Sequence, residues 1–535
     1  MADQGTAGAE RLSQPSGAEA LGEGGDGLSV IVVQIDSLSR HFLRCYGNDW
    51  VRTPTLDAFA ERALVFDRHY AGSLPCMPAR REIWAGAEEF WWRSWGPLEP
   101  WDQPIAHMAR RASVTTHLVT DHYHFFEWGS HSYYYDFHGY DFIRGHEMDN
   151  WRAAPPPAVP DWARVMAERR RDETPVYLAN VQGFAGEEDF FAPRVMRAAA
   201  DWLDRNHGLP RFYLHVDSFD VHEPFHIPEP YRSLYTDDDY RRHNPWPHYG
   251  PIDSGMSALR PDEVAWVRAQ FAGKLTMVDR WLGKLFARLD RHGLWERTCV
   301  IVTTDHGHYL GEHGWMGKPF APLYHTLCHL PLLVWHPALG GGEGGKRRSD
   351  AITQTVDLYA TVLDLLGVTP PDGAHVHSRS FAPVLRGERA AHRDHAMWAY
   401  NNRRVGITTG DWTLLRFHDP GAAPAAIYTH NVQQGLGFGM GQRDRRPLSF
   451  PSISAGRHIP GVETPVWRIE LPFDHARMRP PPLDDLLFHN PSDPGQEHDL
   501  AAERPALLRE LEGLMRDHAL AVGAPDEQRR RLKLP

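Results

Sequence analysis

Uninterrupted apolar runs recur along the chain at intervals wide enough to hold a helix between them. The first, Leu28 to Ile35 (LSVIVVQI), is β-branched and lacks polar alternation, the mark of a strand covered on both faces of a parallel sheet. Comparable runs lie at Val114–Thr120, Arg211–Val216 and Thr298–Thr303, with a shorter one at Leu330–Trp335. Between them the apolar positions switch to helical spacing. Thr55–Leu64 is one such stretch, with Thr55 positioned as its N-cap. Pro261–Leu289 gives a long amphipathic helix that ends at Gly293, and Asp357–Leu366 a shorter one stopped by Gly367. Strands and helices in alternation predict a doubly wound α/β sheet with helices on both faces.

Two stretches break the pattern. Tyr235–Arg260 is polar and Pro-rich and reads as a long surface loop placed to act as a lid. Gly340–Gly345 with Lys346–Arg348 reads as a second loop. Beyond about Arg386 the pattern turns to short strands at Met397–Thr409, Trp412–Phe417 and Asp485–Asn490. The expected organisation is a disordered leader (1–27), a catalytic domain (28–385), a small α+β subdomain with a short antiparallel sheet (386–510) and a helical or flexible tail (511–535).

Composition narrows the function classes. The 535 residues carry a formal net charge of -12, so nothing global attracts nucleic acid or anionic lipid, and an anionic substrate needs positive potential built locally. Four cysteines, at 45, 76, 299 and 328, are too sparse for a disulfide framework. The first 27 residues lack the basic and apolar regions of a signal peptide, and no apolar run approaches the ~20 residues of a membrane span. The expectation is a cytoplasmic protein without membrane or nucleic-acid partners; a homo-oligomer is compatible with the sequence.

Chemistry collects where the buried strands end. The first runs into Asp36, the second into Asp121, His122, Tyr123 and His124, the third into Asp217, Asp220 and His222, and the fourth into Asp305, His306 and Gly307. In open α/β sheets ligands bind beyond the carboxyl ends of the strands, so these groups are expected to converge on one site. A separate loop, Ser73-Leu74-Pro75-Cys76-Met77-Pro78-Ala79-Arg80, leads into a helical stretch ending at Gly86. Pro78 suits a first helical turn, which sets Cys76 at the positive end of the helix dipole with Arg80 nearby. Both features are expected to depress the thiol pKa and attract an anion. The aromatic stretches Phe90–Trp101 and Tyr133–Phe142 read equally well as pocket wall and as packing.

Cys76-Met77-Pro78-Ala79-Arg80 resembles the Cys-x-Pro-x-Arg signature of the sulfatases, formylglycine-dependent members of the alkaline phosphatase superfamily. Cys45-Tyr46-Gly47, Thr53-Pro54-Thr55-Leu56-Asp57, His222-Glu223-Pro224-Phe225, Leu310-Gly311-Glu312-His313-Gly314 with Gly317-Lys318, and Asp493-Pro494 before Glu497 and Leu500 are similar to further segments of that family. The resemblance runs from residue 29 to about 505 and implies an alkaline-phosphatase-like mixed sheet. It implies that Cys76 is oxidised to formylglycine by a formylglycine-generating enzyme, and that the hydrated aldehyde attacks a small anionic ester. It further implies one divalent cation (Ca²⁺ or Mn²⁺, with Mg²⁺ as an alternative) on Asp36, Asp305, His306 and residue 76. Arg80 would neutralise charge at residue 76, His122 contact the sulfuryl oxygens, and His124 take the second proton of the diol. His222 and Lys318 would bind substrate and protonate the leaving group.

Three positions depart from the usual sulfatase pattern. Ser37 follows Asp36 where many members carry a second aspartate, His306 follows Asp305 where many carry asparagine, and His122 stands for lysine. The Asp-then-His pair resembles the phosphonate monoester hydrolase and phosphodiesterase branch. Sulfate-ester hydrolysis is therefore the leading expectation and phosphonate monoester or phosphodiester hydrolysis the alternative. A catalytically silent protein that binds a metal and an anion is the third reading.

Overall fold

The chain is described by a computed structural model over residues 27–127, 132–155, 157–318, 322–339, 347–370, 375–419, 425–431, 452–471 and 484–534. The expected leader and the loop Gly340–Gly345 lie outside the described residues. At the centre is an eight-stranded sheet. Its strands, in spatial order, are Arg347–Ser349, Leu64–Phe66, Leu332–Trp335, Thr298–Thr303, Ser29–Ile35, Phe212–Ser218, Thr115–Thr120 and Gly139–Phe142. Leu332–Trp335 runs antiparallel to both its neighbours and every other pair is parallel, so the sheet is mixed.

The apolar runs form the interior of this sheet because each strand is covered twice. Ile31, Val33 and Ile35 belong to a core shared with the helices Pro54–Arg62, Phe191–Asn206 and Pro261–Arg291; Val30 and Val32 face the opposite core, with Cys76–Ala85, Ile105–Arg111 and Asp357–Leu365. The alternate residues of one strand thus serve two layers, which a continuous apolar run permits and an alternating one does not. No described helix is long and apolar enough to cross a membrane.

Several local expectations need correction. Thr53, not Thr55, is the N-cap of the helix Pro54–Arg62, and the free amides of Thr55 and Leu56 donate to the Asp279 carboxylate of the long helix at 3.0 and 2.7 Å. Met397–Thr409 is a hairpin of two strands, Ala396–Tyr400 and Val405–Thr408, turning through Asn402 at positive φ. A boundary at residue 511 would cut the helix Pro505–Ala521, whose Leu511 and Met515 pack under the C-terminal sheet. That sheet has five strands, ordered Leu486–His489, Trp412–Arg416, Val405–Thr408, Ala396–Tyr400 and Ser73–Leu74. Its last member comes from the catalytic portion and pairs in parallel with Ala396–Tyr400. The two portions are therefore joined by a strand as well as by packing.

The segment Tyr235–Arg260 packs into the fold as a wall, where the sequence suggested a lid. Tyr240 and Trp246 are buried in the core beside Trp266, and Gly250–Pro251 pairs antiparallel with Trp315–Gly317.

Candidate active site

Cys76 opens the helix Cys76–Ala85, whose N-cap is Pro75. The preceding strand is held by Glu82, which accepts from the Ser73 amide at 2.7 Å and the Ser73 hydroxyl at 2.5 Å. The Cys76 thiol is buried with its sulfur 3.3 Å from His306 Nε2. Burial pushes this thiol well above its ordinary value, and Asp36 and Asp305 reinforce the rise against Lys318 and Arg80. The expected depression is overturned because the loss of solvent, with the two carboxylates, outweighs Lys318 and Arg80.

One ligand atom each from Asp36, Cys76, Asp305 and His306 lies within 4.8 Å of the others, and all four residues are buried. These are the four proposed metal ligands, brought together from two adjacent strand ends and one helix start. One contact and the ionisation of the two carboxylates bear on whether they fit a cation. The Nδ1 of His306 lies 2.9 Å from the Gly307 carbonyl, which leaves Nε2 facing the cluster. Asp36 is held well below the carboxylate range: burial opposes its ionisation, but Lys318 and Arg80 prevail. Asp305 is pushed up to about 7 by burial and by the neighbouring Asp36 charge, against Arg80 and Lys318. Asp36, Asp305 and Asp217 set three buried carboxylates against two cations, Arg80 and Lys318, and a divalent cation fits that deficit. Two carboxylates with one imidazole suit a hard or borderline ion such as Ca²⁺, Mg²⁺ or Mn²⁺.

Arg80 lies beneath the cluster as a three-way tie. Its Nη2 is 3.0 Å from Asp36 Oδ2 and 2.7 Å from Asp217 Oδ1, its Nη1 is 2.6 Å from Asp305 Oδ2, and its Nε donates to Asp217 Oδ2 at 3.1 Å. Ser37 ties the same groups from the other side. Its hydroxyl donates to Asp36 Oδ1 at 2.7 Å, its amide to Asp305 Oδ1 at 3.2 Å, and it accepts from Lys318 Nζ at 3.0 Å. Lys318 also donates to Asp36 Oδ1 at 3.1 Å. Although burial opposes the charged form, Asp36, Cys76 and Asp305 raise Lys318 above its ordinary value, so it remains an ammonium.

The histidines divide into two groups. His122 Nε2 is 3.6 Å from Asp36 Oδ2, and neither ring nitrogen has a hydrogen-bond partner among the described residues. Burial, then Arg80, keeps it neutral. His124 lies 5.0 Å from His122 between ring centroids, hydrogen-bonded through Nδ1 to Glu127 and edge-on to Trp95. His222 stands opposite, with Nδ1 3.1 Å from Glu147 Oε1 and Nε2 3.2 Å from the Tyr249 hydroxyl. Burial disfavours its charge, but Glu223 and Glu147 raise His222 above the usual imidazole value against Lys318.

Sequence reasoning left five of these groups without a role. Asp217 was visible as a strand end, and Ser37 as the residue after Asp36. Glu223 lay within the segment His222–Phe225, and Glu147 and Tyr249 carry no motif of their own. Of the aromatic stretches, Trp95 reaches the histidines, whereas Phe90, Trp91 and Trp92 pack against the C-terminal sheet.

The sequence profile of the Sulfatase family matches residues 29–368, well over half of the chain. A multifunctional alkaline phosphatase superfamily protein of Trinickia caryophylli is 29% identical over 223 residues, 37% of this chain and 41% of that protein. An N-acetylglucosamine-6-O-sulfatase of Bacteroides thetaiotaomicron is 30% identical over 172 residues, 29% of each chain. The matched segments span less than half the length of either relative. The phosphonate monoester hydrolase of Agrobacterium radiobacter shares the fold, with a TM-score of 0.63 over 93% of this chain and 95% of that one at 18% identity. The profile match begins at the strand that ends in Asp36 and runs through Cys76, Arg80, Asp305 and Lys318: the chain belongs to the Sulfatase family.

Proposed function

We propose that the protein hydrolyses sulfate esters, with residue 76 oxidised from cysteine to formylglycine and one divalent cation on Asp36, Asp305, His306 and residue 76. The observation that carries the reading is the meeting of those four buried side chains above Arg80. The cation, when bound, supplies a Lewis acid that polarises the ester oxygens. His122, neutral and with both nitrogens open, donates to one sulfuryl oxygen, and the Lys318 ammonium binds another. A hydroxyl of hydrated residue 76, ionised by loss of its proton to solvent, would attack sulfur as the bond from sulfur to the alcohol oxygen breaks. His222 supplies the proton that the departing alcohol needs. Glu127 on Nδ1 of His124 leaves the lone pair on Nε2, the tautomer a base requires. His124 then takes the remaining hydroxyl proton of residue 76, and the sulfated hydrate collapses to aldehyde and sulfate.

A second reading is hydrolysis of phosphonate monoesters or phosphodiesters by the same groups. The ligand set favours it: the Ser37 hydroxyl bonds to Asp36 where a second aspartate would add charge, and His306 brings a neutral nitrogen. A site with two carboxylates leaves more positive charge on its cation and accepts Mn²⁺ as readily as Ca²⁺.

Protein produced together with a formylglycine-generating enzyme, loaded with Ca²⁺ or Mn²⁺, would be tested on aryl sulfates, phosphonates and phosphodiesters. The peptide bearing residue 76 would be weighed in parallel. Aryl sulfate turnover with an aldehyde or its hydrate at residue 76 is expected. Turnover of phosphorus esters alone would move the assignment to the second reading, and active protein holding only unmodified Cys76 would end the formylglycine mechanism.

A further inference from the structure

Neither ring nitrogen of His222 is open. Nδ1 lies 2.8 Å from the Glu223 carbonyl oxygen, 3.1 Å from Glu147 Oε1 and 3.5 Å from Glu223 Oε2. All three are acceptors, so Nδ1 carries a proton that they hold. A proton that leaves the ring toward a substrate must leave through Nε2, and Nε2 is covered by the Tyr249 hydroxyl at 3.2 Å.

Tyr249 is fixed there by backbone pairing. Gly250, the next residue, pairs with Met316, which sets the tyrosine ring against Gly317, the neighbour of Lys318. A Cβ on Gly317 would come within 2.0 Å of Tyr249 Cδ1, so the ring occupies the space that only glycine leaves there. The tyrosine is half-buried, and desolvation, then Glu223 and Glu147, raises its ionisation well above the ordinary value. It therefore remains an O–H donor.

We infer that Tyr249 is the final proton donor to the leaving group, fed by His222, with Glu147 as the residue that positions His222. The inference rests on the ester-hydrolase reading and deepens it. As the bond from sulfur to the alcohol oxygen breaks, the Tyr249 O–H gives its proton to that oxygen, and the phenolic oxygen takes the Nε2 proton of imidazolium His222. The alcohol leaves neutral, tyrosine is unchanged, and His222 becomes a neutral imidazole that regains its proton from solvent before the next turnover. Nδ1–H remains on Glu147 and the Glu223 carbonyl throughout.

The test uses the metal-loaded, matured enzyme. Tyr249→Phe keeps the ring against Gly317 and removes only the hydroxyl. It is expected to lower kcat/KM by ~10²-fold for sulfate esters of weakly acidic alcohols, and by less than ~3-fold for 4-nitrophenyl sulfate, whose leaving group needs little protonation. A ring-fluorinated tyrosine at position 249, a stronger acid of nearly the same shape, should speed the weakly acidic esters and leave the nitrophenyl ester unchanged. Equal losses on both ester types in Tyr249→Phe, or no response to fluorination, would overturn the relay. Parent enzyme that turns over no sulfate or phosphorus ester would instead overturn the activity on which the relay depends.

Discussion

Arg80 and Asp217 form a fork-to-fork ion pair, Nη2 to Oδ1 at 2.7 Å and Nε to Oδ2 at 3.1 Å, with neither side chain exposed to solvent. The remaining guanidinium contacts reach Asp36 and Asp305, so one guanidinium bridges three buried carboxylates, with Lys318 as the second cation on Asp36. Arg80→Ala leaves those carboxylates without their common partner. The expected cost is about 3–5 kcal/mol, read from denaturant unfolding, together with loss of activity. Arg80→Lys keeps the charge but not the fork, and should recover part of the stability with little of the activity. A parent-like unfolding midpoint in Arg80→Ala would show that the carboxylates are balanced by something else.

Asp36→Asn and Asp305→Asn each remove a charged oxygen from the same cluster. Each variant should lose bound metal and activity together, with metal measured by plasma emission on dialysed protein. Full metal occupancy in either variant would take that residue out of the coordination shell.

Glu147→Gln should move the alkaline limb of the activity profile. The His222 pKa is raised because Glu223 and Glu147 outweigh burial and Lys318. The charged imidazole is the proton source, so activity is present below this pKa and falls as pH rises through it. Removing the Glu147 charge lowers the pKa, and the fall in kcat/KM should begin at lower pH than in the parent. A limb that does not move would mean that another group sets it.

A stability prediction concerns the C-terminal helix. His518 Nε2 meets Glu88 at 2.8 Å to Oε2 and 3.0 Å to Oε1. Burial opposes ionisation of Glu88, yet His518, His377 and Arg393 bring it down to about 2. A depressed carboxyl stabilises the fold above its unfolded value and loses that contribution as pH falls toward the folded one. Glu88→Gln should therefore cost about 1–3 kcal/mol near neutral pH. Urea unfolding should show the gap from the parent narrowing as the pH is lowered from about 5 toward 3.

The sheet was legible because strands buried on both faces must be apolar throughout: Leu28–Ile35 in the sequence became Ser29–Ile35 in the fold. Asp36, Asp305 and His306 were legible because they follow such strands, and Cys76 and Arg80 because their motif is compact. Glu147 and Tyr249 were not, since each reaches His222 from a segment without periodicity. What positions Tyr249 is the pairing of Gly250 with Met316, a contact between segments about 65 residues apart. The Cys76 thiol was misjudged for a related reason. The helix terminus beside it can be read from local sequence, whereas the burial that prevails is a property of the assembled site.

The strand Ser73–Leu74, which leads into Cys76, is also the edge of the sheet built from residues 396–489. In order of synthesis it leaves the ribosome about 320 residues ahead of its partner Ala396–Tyr400, roughly 15 to 65 s at ordinary elongation rates. During that interval Cys76 lies on a peptide that lacks its partner strand. Once the sheet closes, the residue is 3% exposed behind its own fold. An enzyme that alters this side chain would therefore have to reach it before the sheet closes, and the wait for the partner strand lengthens the time it has.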